Sequence, residues 1–128
     1  MSSRPLKVFF DGGCRPNPGR IEVAVVARGV SYLFDDLGAG SNTDAEWLAL
    51  IKALELAQRL GEPDFVLLGD ARVVIAQANG TQPCRSAVLR AHRVRYAALA
   101  ALHPPQRIRW IARSQNLAGI ALAAGHCR

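Results

Sequence analysis

Little in this chain could staple it or ligate a soft metal. Three cysteines, Cys14, Cys84 and Cys127, are spread over 128 residues. An odd number with no Cys-x-x-Cys argues against a disulfide framework and against a zinc knuckle. His92, His103 and His126 are equally scattered, which argues against a histidine-based metal site. No apolar run is long enough to span a bilayer. The opening Met1-Ser-Ser-Arg-Pro-Leu6 lacks the long apolar stretch of a signal peptide. The expectation is a cytoplasmic protein with no membrane partner. Acidic residues are also few, ten against sixteen Lys and Arg, for a net charge of +6.

The basic set is mostly arginine, whose rigid fork of donors suits phosphates. A basic excess on a small domain points to a nucleic-acid partner, the alternative being a merely basic soluble protein. Half of the residues are apolar, enough for one sizeable core, and the length predicts a single domain over residues 1–128.

Periodicity orders the elements. Lys7–Asp11 reads as a first strand, Gly12–Gly19 as a loop with two prolines, Ile21–Arg28 as a second strand and Val30–Leu37 as a third. The turns between these strands are too short for crossover helices, so they form an antiparallel meander. Asp44–Leu60 has no internal Gly or Pro and reads as a largely buried helix ended by Gly61. Phe65–Leu68 is a buried central strand. Ala71–Asn79 and Arg85–Leu102 are helices, and Arg107–Ala112 is a last strand. A final helix runs from a Ser114 cap to about Ala124. The order βββαβααβα predicts an α/β fold, a mixed sheet with helices packed on its faces.

The scarce carboxylates fall at telling places. Asp11 ends the first strand and Asp70 follows the buried one, where open α/β sheets place ligands. Glu46 lies in the first turn of the long helix, on the inward face with Leu50, Ala53 and Ala57. An ionised inward Glu needs a partner, and no cation is near it in sequence. A divalent metal shared with Asp11 and Asp70 satisfies all three. Clustered carboxylates with such a metal are what phosphodiester hydrolysis needs. Singly, each has a plainer reading, as a turn former or as an acid favoured by a helix dipole.

Four segments carry a family resemblance. Asp11-Gly-Gly-Cys-Arg-Pro-Asn-Pro-Gly19 resembles the opening motif of type 1 ribonuclease H. Ser41-Asn-Thr-Asp-Ala-Glu46 resembles that family's helix start, and Leu68-Gly-Asp70-Ala-Arg-Val-Val its third-carboxylate segment. Ile108-Arg-Trp-Ile-Ala-Arg113-Ser-Gln-Asn116-Leu-Ala-Gly-Ile120 resembles its last strand and helix. The resemblance implies a five-stranded mixed sheet with helices on both faces. It also implies an endonuclease that cuts the RNA strand of an RNA–DNA hybrid with Mg²⁺ or Mn²⁺, acting as a monomer. By position, Asp11, Glu46 and Asp70 are metal-binding carboxylates. Cys14, Asn17, Ser41 and Asn42 match positions that line the hybrid, and Arg72 and Arg113 are placed to hold it. The family's basic protrusion is missing, which leaves Arg72, Arg85, Arg90 and Arg93 to supply positive charge.

The pattern breaks at one point. The family's fourth carboxylate falls on Ile120. Asn116, one helical turn earlier, is the candidate substitute ligand through its amide oxygen, with helix capping as the alternative. Two rival readings follow: a hybrid-binding module that has lost its nuclease, which Ile120 favours, and a DNA nuclease on the same fold, against which the Cys14, Asn17 and Asn42 set argues.

Overall fold

A computed structural model of the chain describes residues 4–125; His126 and Cys127 lie outside them. Strands β1 (Leu6–Cys14), β2 (Gly19–Ala27) and β3 (Val30–Phe34) form the antiparallel meander. Its β2–β3 turn takes positive φ at both Arg28 (54°) and Gly29 (75°), as a two-residue hairpin requires. A two-residue β4 (Ala39–Gly40) pairs with β2. Then come α1 (Asn42–Leu60), β5 (Phe65–Gly69), α2 (Arg72–Ala78), α3 (Ala87–Ala100), β6 (Arg107–Trp110) and α4 (Leu117–Ala124). The main sheet has the order β3-β2-β1-β5-β6, with β5 parallel to both β1 and β6. The expected α/β architecture, a mixed sheet with helices on both faces, is observed.

The two faces of the sheet bury different things. Val8 and Phe10 of β1, Phe65 and Leu67 of β5 and Ile108 of β6 meet α1 in the main core, with Trp47, Leu50, Ile51 and Leu54 at its centre. On the other face Ala24, Val26 and Phe9 meet Ala118, Ala121 and Leu122 of α4. Helix α4 contacts β1, β2 and β3. Period two makes residues 7, 9 and 11 of β1 share the α4 face.

Helix α1 begins two residues before the expected start, because Ser41 and Asp44 form a capping box. Asp44 N donates to Ser41 Oγ at 3.1 Å and Ser41 N to Asp44 Oδ2 at 2.9 Å. Glu46 therefore sits in the second turn and not the first. Other boundaries also move. The third strand stops at Phe34, α3 starts at Ala87 after a Ser86 cap and leaves Arg85 outside, and β6 stops at Trp110.

The largest correction is at β1. Residues Gly12 to Cys14 are strand, not loop, paired with β2 as far as Cys14↔Ile21. Asp11 is therefore interior to a strand. What ends near it is the parallel ladder, whose last pair is Phe9↔Leu68. Gly12 is required at this point: a Cβ there would lie 2.2 Å from the carbonyl oxygen of Ala45. This close approach seats the α1 N-terminus on β1 and brings Glu46 beside Asp11.

Candidate active site

Asp11, Glu46 and Asp70 come from β1, α1 and the end of β5, and the structure brings them into electrostatic contact. The Asp11 carboxyl is pushed up from 3.8 to about 6, first by burial, then by the charge of Asp70 and a hydrogen bond shared with it; Arg113 pulls the other way. The Glu46 carboxyl is pushed up from 4.5 to about 7, again first by burial and then by Asp11 and Asp70. Burial and like charge each disfavour the ionised form, so Asp11 and Glu46 resist ionising beside one another. Arg113 Nε lies 3.2 Å from Asp70 Oδ2, with its side chain 92 % exposed and that of Asp70 12 % exposed. Among the described residues no three His, Cys, Asp or Glu side chains are already gathered as a metal cage.

Asp11, Glu46 and Arg113 line an open cleft of about 500 Å³ whose walls include Asn42, Glu22, Gly119 and Ile120. Ile120 is 55 % exposed, an apolar side chain where the family resemblance places an acid. Glu22 escaped the sequence reading. The register Gly13↔Glu22 puts it at the cleft, and only recognition that β1 continues past Asp11 could have shown that.

In this structure Asn116 serves as a helix cap. The segment read as the start of a helix capped by Ser114 is a 3-10 turn, Arg113–Gln115, and Asn116 is the cap of α4. Its Oδ1 accepts from Ala118 N at 3.1 Å. Its Nδ2 donates to Phe10 O and to Asp70 Oδ1, both at 3.0 Å. The backbone partners fix which end is which, since Phe10 O needs a donor and Ala118 N an acceptor. The amide thus turns its nitrogen, not its oxygen, to Asp70.

The residues expected to line the hybrid gather at the α1 N-terminus, though not all face outward. Cys14 is buried, with its thiol donated to Gly40 O at 3.2 Å; burial pushes the thiol up. It nevertheless forms part of the wall of the carboxylate cleft. Asn42 Oδ1 accepts from Cys14 N at 2.8 Å, and Asn17 Oδ1 accepts from Asn42 N at 3.0 Å. Both amide oxygens are thereby spent, and both NH₂ groups are left as outward donors on exposed residues. Ser41 Oγ is engaged with Asp44. Arg72 stacks on the Trp110 ring at 3.7 Å, holding its guanidinium two residues from Asp70. Arg90 is exposed, and its Nη1 donates to Arg85 O at 2.8 Å.

A family model described as "Reverse transcriptase-like" matches residues 9–126. The crystal structure of RNase H1 from Halobacterium salinarum superposes with a TM-score of 0.85 at 30% identity, covering 97% of this chain and all of that one. The chain belongs to the type 1 ribonuclease H family. The curated Ribonuclease HI of H. salinarum is 35% identical over 123 residues, 92% of this chain. This ribonuclease H-type chain spans 62% of that relative's length. The N-terminal RNase H domain of Rv2228c from Mycobacterium tuberculosis superposes with a TM-score of 0.80 at 26% identity, covering 93% of this chain and 95% of that one. LC11-RNase H1, solved in complex with an RNA/DNA hybrid, shares the fold at 23% identity, with a TM-score of 0.82 over 91% of this chain and 92% of that one.

Proposed function

We propose that this chain is an endoribonuclease that hydrolyses the RNA strand of RNA–DNA hybrids, with Mg²⁺ or Mn²⁺ held by Asp11, Glu46 and Asp70. The observation that carries the reading is the trio itself: carboxylates from three elements whose burial and mutual repulsion push Asp11 to about 6 and Glu46 to about 7. A divalent cation is the neutraliser that this donor set fits, in hardness and in charge. When bound, it supplies Lewis-acid stabilisation of the charge that develops on the scissile phosphate.

The chain's own residues do the rest. The free NH₂ groups of Asn17 and Asn42 donate to the 2′-hydroxyl or to a phosphate, and the 2′-hydroxyl separates RNA from DNA. Arg113, exposed and tethered at Asp70, offers its remaining N–H groups to a phosphate oxygen. Arg72, held flat on Trp110, does the same on the other side of Asp70. Asn116 holds the Asp70 carboxylate in place. With Ile120 in the fourth position, the cleft binds its second cation weakly. Mn²⁺ then outperforms Mg²⁺, because it binds such sites more tightly. Action as a monomer and as a single-domain unit over residues 1–128 belongs to the same proposal. Cytoplasmic placement is part of the same proposal; no helix among the described residues is long and apolar enough to cross a membrane, and Cys14 and Cys84 are free and buried.

The test is cleavage of an end-labelled hybrid in Mg²⁺ or Mn²⁺, run beside RNA–RNA and DNA–DNA duplexes and beside Asp11→Asn. The expected result is RNA-strand cleavage confined to the hybrid and abolished by Asp11→Asn. Binding without cleavage in either metal would establish instead the non-catalytic module that Ile120 favours. Cleavage of the DNA duplex would establish the DNA nuclease.

A further inference from the structure

A second groove lies on the α4 face of the sheet, adjoining the carboxylate cleft. It has a volume of about 430 Å³, and its lining includes Lys7, Phe9, Leu68, Arg107, Arg109 and Gln115 and no acidic residue. Its layout follows from strand register. Lys7 of β1 pairs with Val66 of β5, which pairs with Arg107 of β6; one step along, Phe9 pairs with Leu68 and Leu68 with Arg109. Each row thus has an apolar β5 residue in the middle and a cation on β6, and the first row has a cation at both ends. Lys7, Arg107 and Arg109 are exposed, and none forms an ion pair among the described residues. Ile108, between the two arginines, points to the opposite core.

The rows lead to the catalytic carboxylates. One more step of two residues along the same face gives Asp11 on β1 and Asp70 beyond β5, about 7 Å further on. The 3-10 turn is the shared wall: its Arg113 lines the cleft and its Gln115 lines the groove.

We infer that this groove binds a single-stranded nucleic-acid extension that runs from the hybrid held at the carboxylates. This rests on the hybrid reading above. Three unpaired cations with no acid among them match a phosphate backbone, and arginine forks match phosphate geometry. The apolar floor selects for unpaired bases. Val66 and Leu68 are buried beneath it, and the partly exposed Phe9 ring is the face that an unpaired base can stack on, whereas a duplex keeps its bases stacked inside and gains nothing from it. The site is therefore an exit track, used when the hybrid is flanked by unpaired DNA or RNA.

The test is fluorescence anisotropy in EDTA with a blunt hybrid and with the same hybrid carrying a single-stranded extension of about ten nucleotides, within the usual site size, at either end. The wild-type chain gains at least about five-fold in affinity from an extension of one polarity, the contribution of one stacked base. Lys7→Glu and Arg109→Glu erase that gain and leave blunt-hybrid affinity equal to that of Arg59→Glu, which makes the same charge change on α1. No gain from either extension in the wild type overturns the proposal, as does equal weakening of blunt and extended hybrids by Arg109→Glu. Displacement of the extension by polyglutamate, with the polymer's own binding sensitive to Arg109→Glu, assigns the groove to an acidic protein segment and also overturns it. Blunt-hybrid cleavage in Mn²⁺, measured on the same preparations, reads the catalytic proposal separately.

Discussion

Asn116 shows how one residue can look like a ligand and act as a joint. It is fully buried, and its amide ties three things together: the first turn of α4, the β1 backbone at Phe10 and the Asp70 carboxylate. Asn116→Ala removes the cap and strands the Phe10 carbonyl, at a cost of about 2–3 kcal/mol. The expected outcome is a clear drop in the unfolding midpoint with at most a modest loss of Mn²⁺ affinity by calorimetry, through the Asp70 carboxylate that the amide no longer holds. A loss of Mn²⁺ affinity without loss of stability would restore the ligand reading. The carboxylates were legible in the sequence as acids at apparent strand ends or on an inward helix face, although Asp11 lies inside β1 and not at its end. The role of Asn116 was not, since it depends on Phe10, 106 positions away in the chain. The coupling of Asp44 to His92 at 3.0 Å was equally hidden on the His92 side.

At the scale of elements, hydrophobic period found nearly all the helices and strands and misplaced their ends. The misreading at β1 has a definite cause. Gly12-Gly13 looks like a turn, yet here the glycines keep the strand going while letting the Ala45 carbonyl press against it. Sequence pattern cannot tell a glycine that bends the chain from one that admits a neighbour. Helix α4 was placed but started too early, because Ser114 and Asn116 are both plausible caps. That placement decides the next prediction. Gly119 faces Asp11, and a Cβ there would lie 3.5 Å from Asp11 Oδ2, while the neighbouring Ile120 lines the same cleft half-exposed. The α4 backbone is therefore already at the carboxylates and lacks only the acid. Ile120→Asp is expected to tighten divalent-cation binding about ten-fold or more, as one added charged ligand should, and to shift cleavage from Mn²⁺-dependent toward Mg²⁺-supported. Unchanged calorimetric affinity for both ions would mean that this helix end does not reach the metal.

Across the whole molecule, charge is divided unevenly: a net +6 surface surrounds one tight knot of acids. That knot makes stability depend on pH in a direction opposite to the usual carboxylate. Asp11 and Glu46 have folded pKa values of about 6 and about 7, above their ordinary 3.8 and 4.5. Between those limits the folded chain holds more protons than the unfolded one, so stability falls as pH rises. In metal-free buffer the unfolding midpoint should therefore decline from about pH 4 to about pH 7 through these two groups and level off above. Asp44 works the other way. Burial would raise its carboxyl, but bonds from Ser41 and the His92 contact outweigh that and hold it below the ordinary value, so its contribution is lost only as pH falls through the acid range. The two effects separate by subtraction. The double variant Asp11→Asn, Glu46→Gln should lack the decline between pH 4 and 7 while keeping the acid-side loss. Mg²⁺ or Mn²⁺ should abolish the decline in the wild type and leave the double variant unmoved, because a divalent cation neutralises the same charges that the protons do. Cleavage should rise over that pH range for the same reason, as the carboxylates give up protons to take the metal. If the double variant keeps the wild-type slope, the strain lies elsewhere in the fold and the three carboxylates are not the knot described.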